Sequence, residues 1–304
     1  MDHVTFGKVV ASLRKEQTNF RNGQNWSQQD LANESGLTPR IVGRIERGEQ
    51  ARLDGGVLGT LAKAFNLTSL ERREFFAMAS EVTDQEIVRE DLCDTEVFTE
   101  VWELLNGLCA PAFLTNPFSD IVGVNRSLLL FHAINIQELQ AFRSTAVGVN
   151  NLGLLFEPNT PLKQVLGYGW RSIAHANVQQ WRVATLRYRH TDRFRQLFTA
   201  LSAFTDFRMM WAAGNDAEYA IEDCSRLRSC IYNHGVHGLV AYAVFVNVSL
   251  SASGDLYLCA FIPQNSDTAS LFQRLAGDDN GALRVSQWPS PTDNHPKNRS
   301  GETA

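Results

Sequence analysis

The sequence lacks any long hydrophobic run. Its apolar stretches all fall short of the roughly 18 to 20 consecutive residues that a bilayer-spanning helix requires. The first ten residues, MDHVTFGKVV, also lack the apolar core of a secretory signal peptide. Because both membrane signals are missing, we expect a cytoplasmic protein that does not insert into membranes.

Cysteine is scarce and irregularly spaced. A disulfide framework uses an even set of cysteines, and a zinc ribbon uses closely spaced pairs. This chain has an odd number without C-x-x-C spacing, namely the five residues Cys93, Cys109, Cys224, Cys230 and Cys259. The sequence therefore predicts reduced, mainly structural thiols.

The motifs of common enzyme classes are missing as well. We find no phosphate-binding loop, no G-x-G-x-x-G dinucleotide loop, no G-x-S-x-G elbow and no H-E-x-x-H pair. His234 and His237 in NHGVHG could ligate a metal or a haem, but no cysteine or carboxylate partner accompanies them. That pattern favours turn and hydrogen-bonding roles, so we expect no catalysis, no metal and no obligatory cofactor.

Size and charge point to a protein of two parts. A chain of 304 residues with 44% hydrophobic residues can build two domains, each with its own core. Residues 1–80 carry 11 Lys and Arg against 9 Asp and Glu, whereas residues 81–304 carry 17 against 24. The weak positive balance therefore belongs to the first part, and the negative balance to the second.

Residues 27–48, SQQDLANESGLTPRIVGRIERG, have the spacing of a helix-turn-helix. Ser27 can cap the first helix, with an acidic residue three positions on, and Gly36 can adopt the left-handed conformation of the turn. Thr38 can cap the second helix, and Pro39 suits its first position. The segment therefore predicts two short helices that fit a DNA major groove.

The second of these helices places arginine on its outer side. Val42 and Ile45 have inward spacing, whereas Arg40 and Arg44 lie one turn apart on the other side, together with Pro39, Ile41, Gly43 and Arg47. An arginine fork matches the two acceptors of a guanine edge, so Arg40, Arg44 and Gln28 are predicted base contacts and Ile41 a thymine-methyl contact, whereas Arg47 and Arg52 suit phosphate. The predicted DNA-binding residues are Gln28, Gln29, Thr38, Pro39, Arg40, Ile41, Arg44, Arg47 and Arg52. Alternatives are a merely solvated arginine face and a helix-turn-helix that binds protein.

An acidic stretch separates the two parts. Residues 81–96 hold seven acidic residues against one arginine and read as a solvated connector. Helical spacing then returns in an apolar stripe of Val97, Val101, Trp102, Leu105 and Leu108. That stripe either packs on its own domain or forms a dimer surface.

The second part predicts two strands, then helices, then three strands. APAFLTNPFSDIVGVN reads as a hairpin, RSLLLFHAI as a helix, and residues 162–213 as a long helical stretch. Strands return as SRLRSCIYNH, GLVAYAVFVNVSL and DLYLCAFIP. An arginine-rich piece, residues 182–195, has amphipathic spacing typical of a solvated surface, with nucleic-acid contact as the alternative.

These motifs resemble a known family. Residues 5–80 are similar to the lambda-repressor-like (XRE) domains, and the insertion at 18–26 together with the L-T-x-x-E-R-x-x-F spacing of Leu67 to Phe75 resembles the MmyB-like transcription regulators. The later segments NNLGLLFEP, TDFRMMWA and NHGVHG extend the resemblance from about 93 to 276. Two positions depart from the family pattern, Val124 in place of a common Trp and Gly153 in place of a frequent Arg.

The resemblance implies an α+β multidomain regulator. Its first domain would be an all-α, five-helix lambda-repressor-like domain, and its second a PAS-like sensor with a five-stranded antiparallel sheet and helices on one face. The expected boundaries are 1–80 for the DNA-binding domain, 81–96 for the connector, 97–277 for the sensor and 278–304 for a flexible tail. Its expected partners are double-stranded DNA, a small apolar effector and a second copy in a homodimer.

The effector expected from this resemblance is a mostly apolar molecule with a small polar head, such as a fatty acid. Large apolar side chains converge on the predicted sheet, and Asn125, Arg126 and Tyr257 are candidate polar anchors. The predicted ligand-binding residues are Phe113, Val124, Asn125, Arg126, Leu129, Phe131, Leu155, Phe156, Tyr242, Val244, Phe245 and Tyr257. The same residues would also make an ordinary filled core, in which case the domain would serve dimerisation or partner docking.

Overall fold

A computed structural model describes residues 1–18, 23–50, 53–80, 94–213, 228–251 and 254–289. The chain divides into two compact units, one of Met1–Ile87 with Ala174–Asp223 and the other of Val88–Ile173 with Cys224–Ala304. This division differs from the predicted boundaries, because the helical stretch after Ala174 packs with the N-terminal helices. The connector predicted at 81–96 lies mostly outside the described residues.

The first eighty residues form helices that follow the predicted pattern. In chain order they are α1 (His3–Glu16), α2 (Gln28–Ser35), α3 (Pro39–Glu46), α4 (Gly55–Ala64) and α5 (Ser69–Ala79).

Residues 94–213 continue with helices and one hairpin. They form α6 (Asp94–Gly107), β1 (Ala112–Thr115), β2 (Ile121–Asn125), α7 (Arg126–Phe131), α8 (Ile136–Ala141), α9 (Asn151–Phe156), α10 (Leu162–Leu166), α11 (Trp170–Ala184), α12 (Asp192–Leu201) and α13 (Thr205–Ala213). The boundary between the two units falls inside α11, after Ile173.

The remaining described residues form strands and one helix. They are β3 (Arg228–His234), β4 (Gly238–Ser249), β5 (Leu256–Pro263), α14 (Ser266–Ala276) and β6 (Ala282–Arg284). No helix among the described residues combines the length and the apolar character needed to cross a membrane.

The helix-turn-helix forms because residues next to the helix ends cap them. Ser27 and Asp30 form a reciprocal capping box at the start of α2, as predicted. Gly36 has a φ of 71° at the turn, and the Thr38 side chain accepts the backbone N–H of Ile41 at the start of α3. These three features confirm the predicted helix boundaries.

A shared apolar core holds the first unit together. Val9, Leu31, Val42 and Phe75 are completely buried in it. The backbones of α1 and α3 come so close at Gly7 that a β-carbon there would lie 2.5 Å from the carbonyl oxygen of Ile45. Only glycine allows this approach, so α1 fixes the position of α3.

The second unit is built on an antiparallel sheet. Among the described residues it has six strands in the order β3-β4-β5-β1-β2-β6. The α+β class is confirmed, but the sheet has one strand more than the predicted five. The additional strand, β6, lies in the segment predicted as a flexible tail, and its residue Leu283 pairs with Val124 of β2.

A second residue of the predicted tail is also packed. Trp288 is buried and stacks on Phe98 at a ring distance of 5.8 Å. Residues 290–304 lie outside the described residues.

Helices cover both faces of this sheet, whereas we predicted one. Val97, Val101 and Leu105 of α6 are buried with Leu114 and other apolar residues of one face. The predicted stripe on α6 therefore packs on its own unit. On the same side, Gly123 leaves room for Trp102, whose ring would lie 2.5 Å from a β-carbon at that position. The opposite face meets α7 and α14 through Phe131 and Phe272, whose rings are 5.5 Å apart.

Candidate functional site

The outer side of α3 is the candidate recognition surface. Val42 and Ile45 are buried beneath the helix, whereas Arg40 and Arg44 are exposed. Neither arginine forms an ion pair with a residue that the structure describes, although Arg44 lies near enough to Glu49 to lower the pKa of that carboxyl, after the hydrogen bond from Arg47. Since they are four residues apart, both extend from one side of the helix. The outer side of α3 therefore presents two exposed guanidinium groups.

A buried polar network holds α3 against α1 and α2. Glu46, at the end of α3, accepts Nε of Arg14 at 2.6 Å and Nε2 of Gln28 at 2.7 Å. The Arg14 and Glu46 side chains are both almost completely buried. A bidentate arginine pair of this kind is geometrically specific, so the network sets the angle of α3. Gln28 is therefore held beside α3 by Glu46, in addition to its predicted contact role.

Gly43 differs from the expected exposure. It was predicted on the outer side of α3, but it is buried. A β-carbon there would lie 3.1 Å from Nη1 of Arg47 and 3.3 Å from Oε1 of Gln28. Those two side chains cover the helix at this point, so the exposed surface is narrower than the pattern suggested.

The other predicted DNA contacts occupy varied surroundings. Gln29 donates to Asn33 at 2.8 Å, and Ile41 is partly buried against the core. Arg47 donates to Glu49 at 2.6 Å, and this hydrogen bond raises the pKa of the guanidinium. Arg47 must exchange Glu49 for phosphate to act as predicted. Thr38 and Pro39 are exposed at the start of α3, and Arg52 lies outside the described residues.

Several predicted ligand residues do come together on the sheet face that meets α7. Register places Phe113 opposite Val124 and also opposite Cys259 of β5. Tyr242 stacks on Phe261 at a ring distance of 4.5 Å, and Phe131 lies edge-on to both rings. Val244 and Tyr257 lie on this face as well, because Val244 pairs with Phe261 and because Tyr257 is an even number of residues from Phe261 along β5. Phe245 lies on the opposite face and is half exposed.

Leu155 and Phe156 form a second contact region at the end of α9. The indole N–H of Trp170 donates to the carbonyl oxygen of Leu155 at 2.8 Å, and its ring lies edge-on to Phe156. Leu129 is buried on α7. The first residue of α11 is thus joined to two predicted ligand-lining residues.

Two of the predicted polar anchors have other partners. Asn125 caps α7, and its side chain also accepts the N–H of Ala112 at 3.0 Å and donates to the carbonyl oxygen of Ala110 at 2.7 Å. Arg126 is more than half exposed and lies 3.6 Å from Asp279. Both side chains therefore serve the fold in the described structure. The sequence could not reveal this, because the partners are distant or backbone groups.

His234 and His237 lie with His132 around Phe131, at one end of the aromatic core, and the sequence pattern did not connect His132 with them. Nδ1 of His234 accepts the backbone N–H groups of Val236 and His237 at 3.1 and 3.2 Å, in keeping with the predicted turn role. Its Nε2 must then carry the proton. Burial, and secondarily His237, lower the pKa of His234 to about 4. Burial, and secondarily the other two histidines, lower the pKa of His132 to about 3.

The arginine-rich segment was also misjudged. Arg182 and Arg189, predicted on a solvated surface, are buried in the first unit and pair with glutamates of α5 and α1. Arg187 pairs with Glu74 at 2.7 Å in a half-buried position. Amphipathic spacing alone could not identify these pairs, because their acidic partners lie over a hundred residues earlier in the chain.

Comparison with known proteins gives two matches to family models. A helix-turn-helix model matches residues 19–72. The model of the MmyB-like transcription regulator ligand binding domain matches residues 97–275, which is more than half of the chain. No curated protein matches the chain.

Proposed function

Because the chain belongs to the MmyB-like transcription regulators, with a helix-turn-helix followed by a ligand-binding domain, we propose that α3 reads operator DNA under the control of a small apolar ligand. The ligand class we propose is a fatty acid or a similar acyl compound. Two copies of the chain act together on the operator, in the cytoplasm, and the role requires no catalytic step.

The exposed pair on α3 is the observation that carries the DNA-binding part. Arg40 and Arg44 are exposed, form no ion pair within 4 Å with a described residue and are held on a helix whose angle is fixed by Gly7 and Glu46. A helix of this kind can enter the major groove with its first turns against the base edges. Each arginine fork can then bind O6 and N7 of a guanine.

The DNA-binding part is tested with an operator sequence that the protein itself selects. Duplexes are selected from a random pool by the full chain, and the affinity of the selected sequence is measured by fluorescence anisotropy. We expect Arg44→Ala to weaken binding to that duplex by about 1 to 3 kcal/mol and to relax the sequence preference at one base pair. A loss that is equal for all sequences would instead indicate a phosphate contact.

The matched control is Arg73→Ala, which removes an exposed arginine of α5 in the same unit. It changes the net charge equally and leaves α3 intact. If Arg40→Ala, Arg44→Ala and the control all bind the selected duplex as the parent does, the proposed recognition surface is wrong. A helix-turn-helix that binds protein would give that outcome.

The ligand part rests on the aromatic face of the sheet. The rings of Phe113, Phe131, Tyr242 and Phe261 are buried and pack on one another on this face. An acyl chain that displaces part of this packing can bury its length against the rings through the hydrophobic effect. Mass spectrometry of organic extracts from the purified protein should detect a bound acyl compound, and added laurate should raise the melting temperature.

The alternative is a filled core that serves dimerisation or partner docking. The stacking of Tyr242 on Phe261 and the edge contacts of Phe131 favour it, since these rings already pack on one another. Under this alternative, extracts contain no acyl compound and laurate leaves the melting temperature unchanged. The two functions therefore give opposite results in the same experiment.

Dimeric action is proposed from the weak charge of the DNA-binding part. Residues 1–80 have only two more basic than acidic residues, so one copy gains little from phosphate attraction. Two copies would bind half-sites about one helical turn apart. Selected duplexes should contain two related half-sites, and sedimentation should show two chains per duplex; a single half-site bound by one chain would contradict this.

A further inference from the structure

A cluster of buried charges lies inside the first unit, away from the DNA-binding surface. Glu71 of α5 is fully buried and receives both Nε and Nη2 of Arg182, at 2.9 and 3.1 Å. Arg189 is also buried, donates to Glu16 at the end of α1 and lies 3.6 Å from Glu71. Two carboxylates and two guanidinium groups thus compensate one another.

The surroundings of the cluster make it geometrically specific. Arg189 lies over the rings of Trp211 and Phe194 at 4.5 and 4.9 Å. Although burial raises the pKa of Glu71, Arg182, Arg189 and the backbone N–H of Thr68 together more than offset this, and the pKa of Glu71 stays below its usual value. The carboxylate is therefore ionised, and its binding geometry is fixed by the arginine fork.

Buried ion pairs of this type are poor sources of stability. Removing two charges from water costs several kcal/mol per ion, and packed apolar residues often serve the fold as well or better. A hydrophobic contact would tolerate sliding of one helix over another, whereas a bidentate pair does not. The cluster is therefore better suited to fixing the positions of the helices than to adding stability.

The cluster joins two parts of the sequence that the family models assign differently. Glu16 and Glu71 belong to helices around the helix-turn-helix match, whereas Arg182 and Arg189 fall within residues 97–275, the ligand-binding domain match. Leu186, between the two arginines, is completely buried in the core that contains α1 and α5. This part of the ligand-binding domain is thus built into the DNA-binding unit.

Helix α11 connects the cluster to the other unit through the chain itself. Its first residue, Trp170, bonds the carbonyl oxygen of Leu155 and packs on Phe156, two residues of the proposed ligand-binding region. Its last turn carries Arg182. A helix transmits a rotation or shift along its length with little loss, because its backbone hydrogen bonds are continuous.

We propose that Arg182 and Arg189 are positioning residues for DNA recognition, through which the ligand-binding domain sets the placement of α3. The proposal rests on the function proposed above and specifies its regulation. A change at Trp170 moves Arg182 and Arg189, and these carry Glu71 and Glu16 with them. Because α1 contacts the backbone of α3 at Gly7, a shift of α1 changes the position of Arg40 and Arg44.

The test uses the full chain and a variant that keeps the fold. Glu71→Gln with Arg182→Met removes both charges together, so that no unpaired buried charge remains, and the amide oxygen of Gln can still accept the Thr68 N–H that Glu71 accepts at 2.9 Å. The control is Glu74→Gln with Arg187→Met, which removes a half-buried pair between the same helix α5 and the same segment. Affinity for the selected duplex is measured with and without laurate, and hydrogen exchange is followed in α1 and α3.

We expect laurate to change the DNA affinity of the parent and of the control by about tenfold, and that of the cluster variant by less than about twofold. The cluster variant should still bind laurate, and exchange in α1 and α3 should rise about tenfold over the control even without ligand. An unchanged laurate response together with unchanged exchange would overturn the proposal.

Failure of the proposed ligand gives a different result. If laurate binds neither the parent nor the variants, the fatty-acid assignment fails while the exchange measurement still tests the cluster. In that case, faster exchange in α1 and α3 of the cluster variant alone supports a positioning role. Equal exchange in the cluster variant and the control contradicts it.

Discussion

Acid should weaken the second unit through His234. This side chain is buried, and its Nδ1 accepts two backbone N–H groups. Adding a proton would place a charge there and remove the acceptor of the turn amides. Burial, and secondarily His237, therefore hold the pKa at about 4 rather than the ordinary 6.5.

The direction of the effect follows from which state binds the proton first. As the pH falls through 6.5, unfolded chains take up the proton while folded chains do not. The contribution of His234 to the free energy of unfolding is complete above 6.5 and is lost down to about 4. The loss stays below the limiting value of about 1.4 kcal/mol for each pH unit, because solvent screens part of the charge, and reaches about 1 to 2 kcal/mol in all.

The perturbation that isolates this residue is His234→Asn. The amide oxygen of Asn can accept the same turn N–H groups, and Asn does not titrate. The free energy of unfolding of the full chain is measured with urea between about pH 7 and about pH 5. We expect the difference in the free energy of unfolding between parent and variant to change steadily with pH.

Two kinds of titrating group accompany His234. Burial raises the pKa of Glu16 and works in the opposite direction, but it is common to parent and variant. The pKa of His132 is lowered by burial and then by His234 and His237, so the variant reports the His234 proton together with its effect on His132. Nuclear magnetic resonance of the imidazole protons gives an independent reading. If His234 titrates near 6.5, or if parent and variant lose stability in parallel, the argument from burial is refuted.

Three further substitutions test the packing described above. Gly7→Ala should lower the melting temperature and the affinity for the selected duplex, because its β-carbon would lie 2.5 Å from a backbone oxygen of α3. The free energy of unfolding should fall by about 1 to 3 kcal/mol. Unchanged DNA affinity would contradict the role of α1. The control Gly59→Ala meets no atom within 4 Å and should gain about 0.5 to 1 kcal/mol, as seen by thermal unfolding. Trp288→Ala should cost about 3 to 5 kcal/mol in urea unfolding, whereas a tail without contacts would show no loss. Gly123→Ala should cost about 1 to 3 kcal/mol and be partly rescued by shortening Trp102 to Leu, a coupling that a double-mutant cycle measures.

The helix-turn-helix could be predicted because its information is local. Ser27, Gly36 and Thr38 each act on backbone groups within three or four residues, so their spacing already contains the geometry. The strands β4 and β5 were equally accessible, because alternation and flanking turns are local signals. In these regions sequence and structure agree.

The features that escaped prediction depend on distant partners. Arg182 and Arg189 had the spacing of a solvated face, and only the fold brings Glu71 and Glu16 to them. Strand β6 escaped for a similar reason, since its polar composition suggested a tail and its pairing with β2 is a long-range property. The anchor role of Asn125 was expected from its residue type, but its hydrogen bonds were already taken by backbone groups.

The placement of Arg182 and Arg189 in the first unit limits how the chain can be recombined. An artificial regulator that joins this helix-turn-helix to an unrelated sensor would leave Glu16 and Glu71 buried without counterions. Such a fusion must either import residues 174–213 or replace both glutamates with apolar side chains. Natural exchange of sensors among related regulators would meet the same requirement, so the two halves are expected to have diversified together.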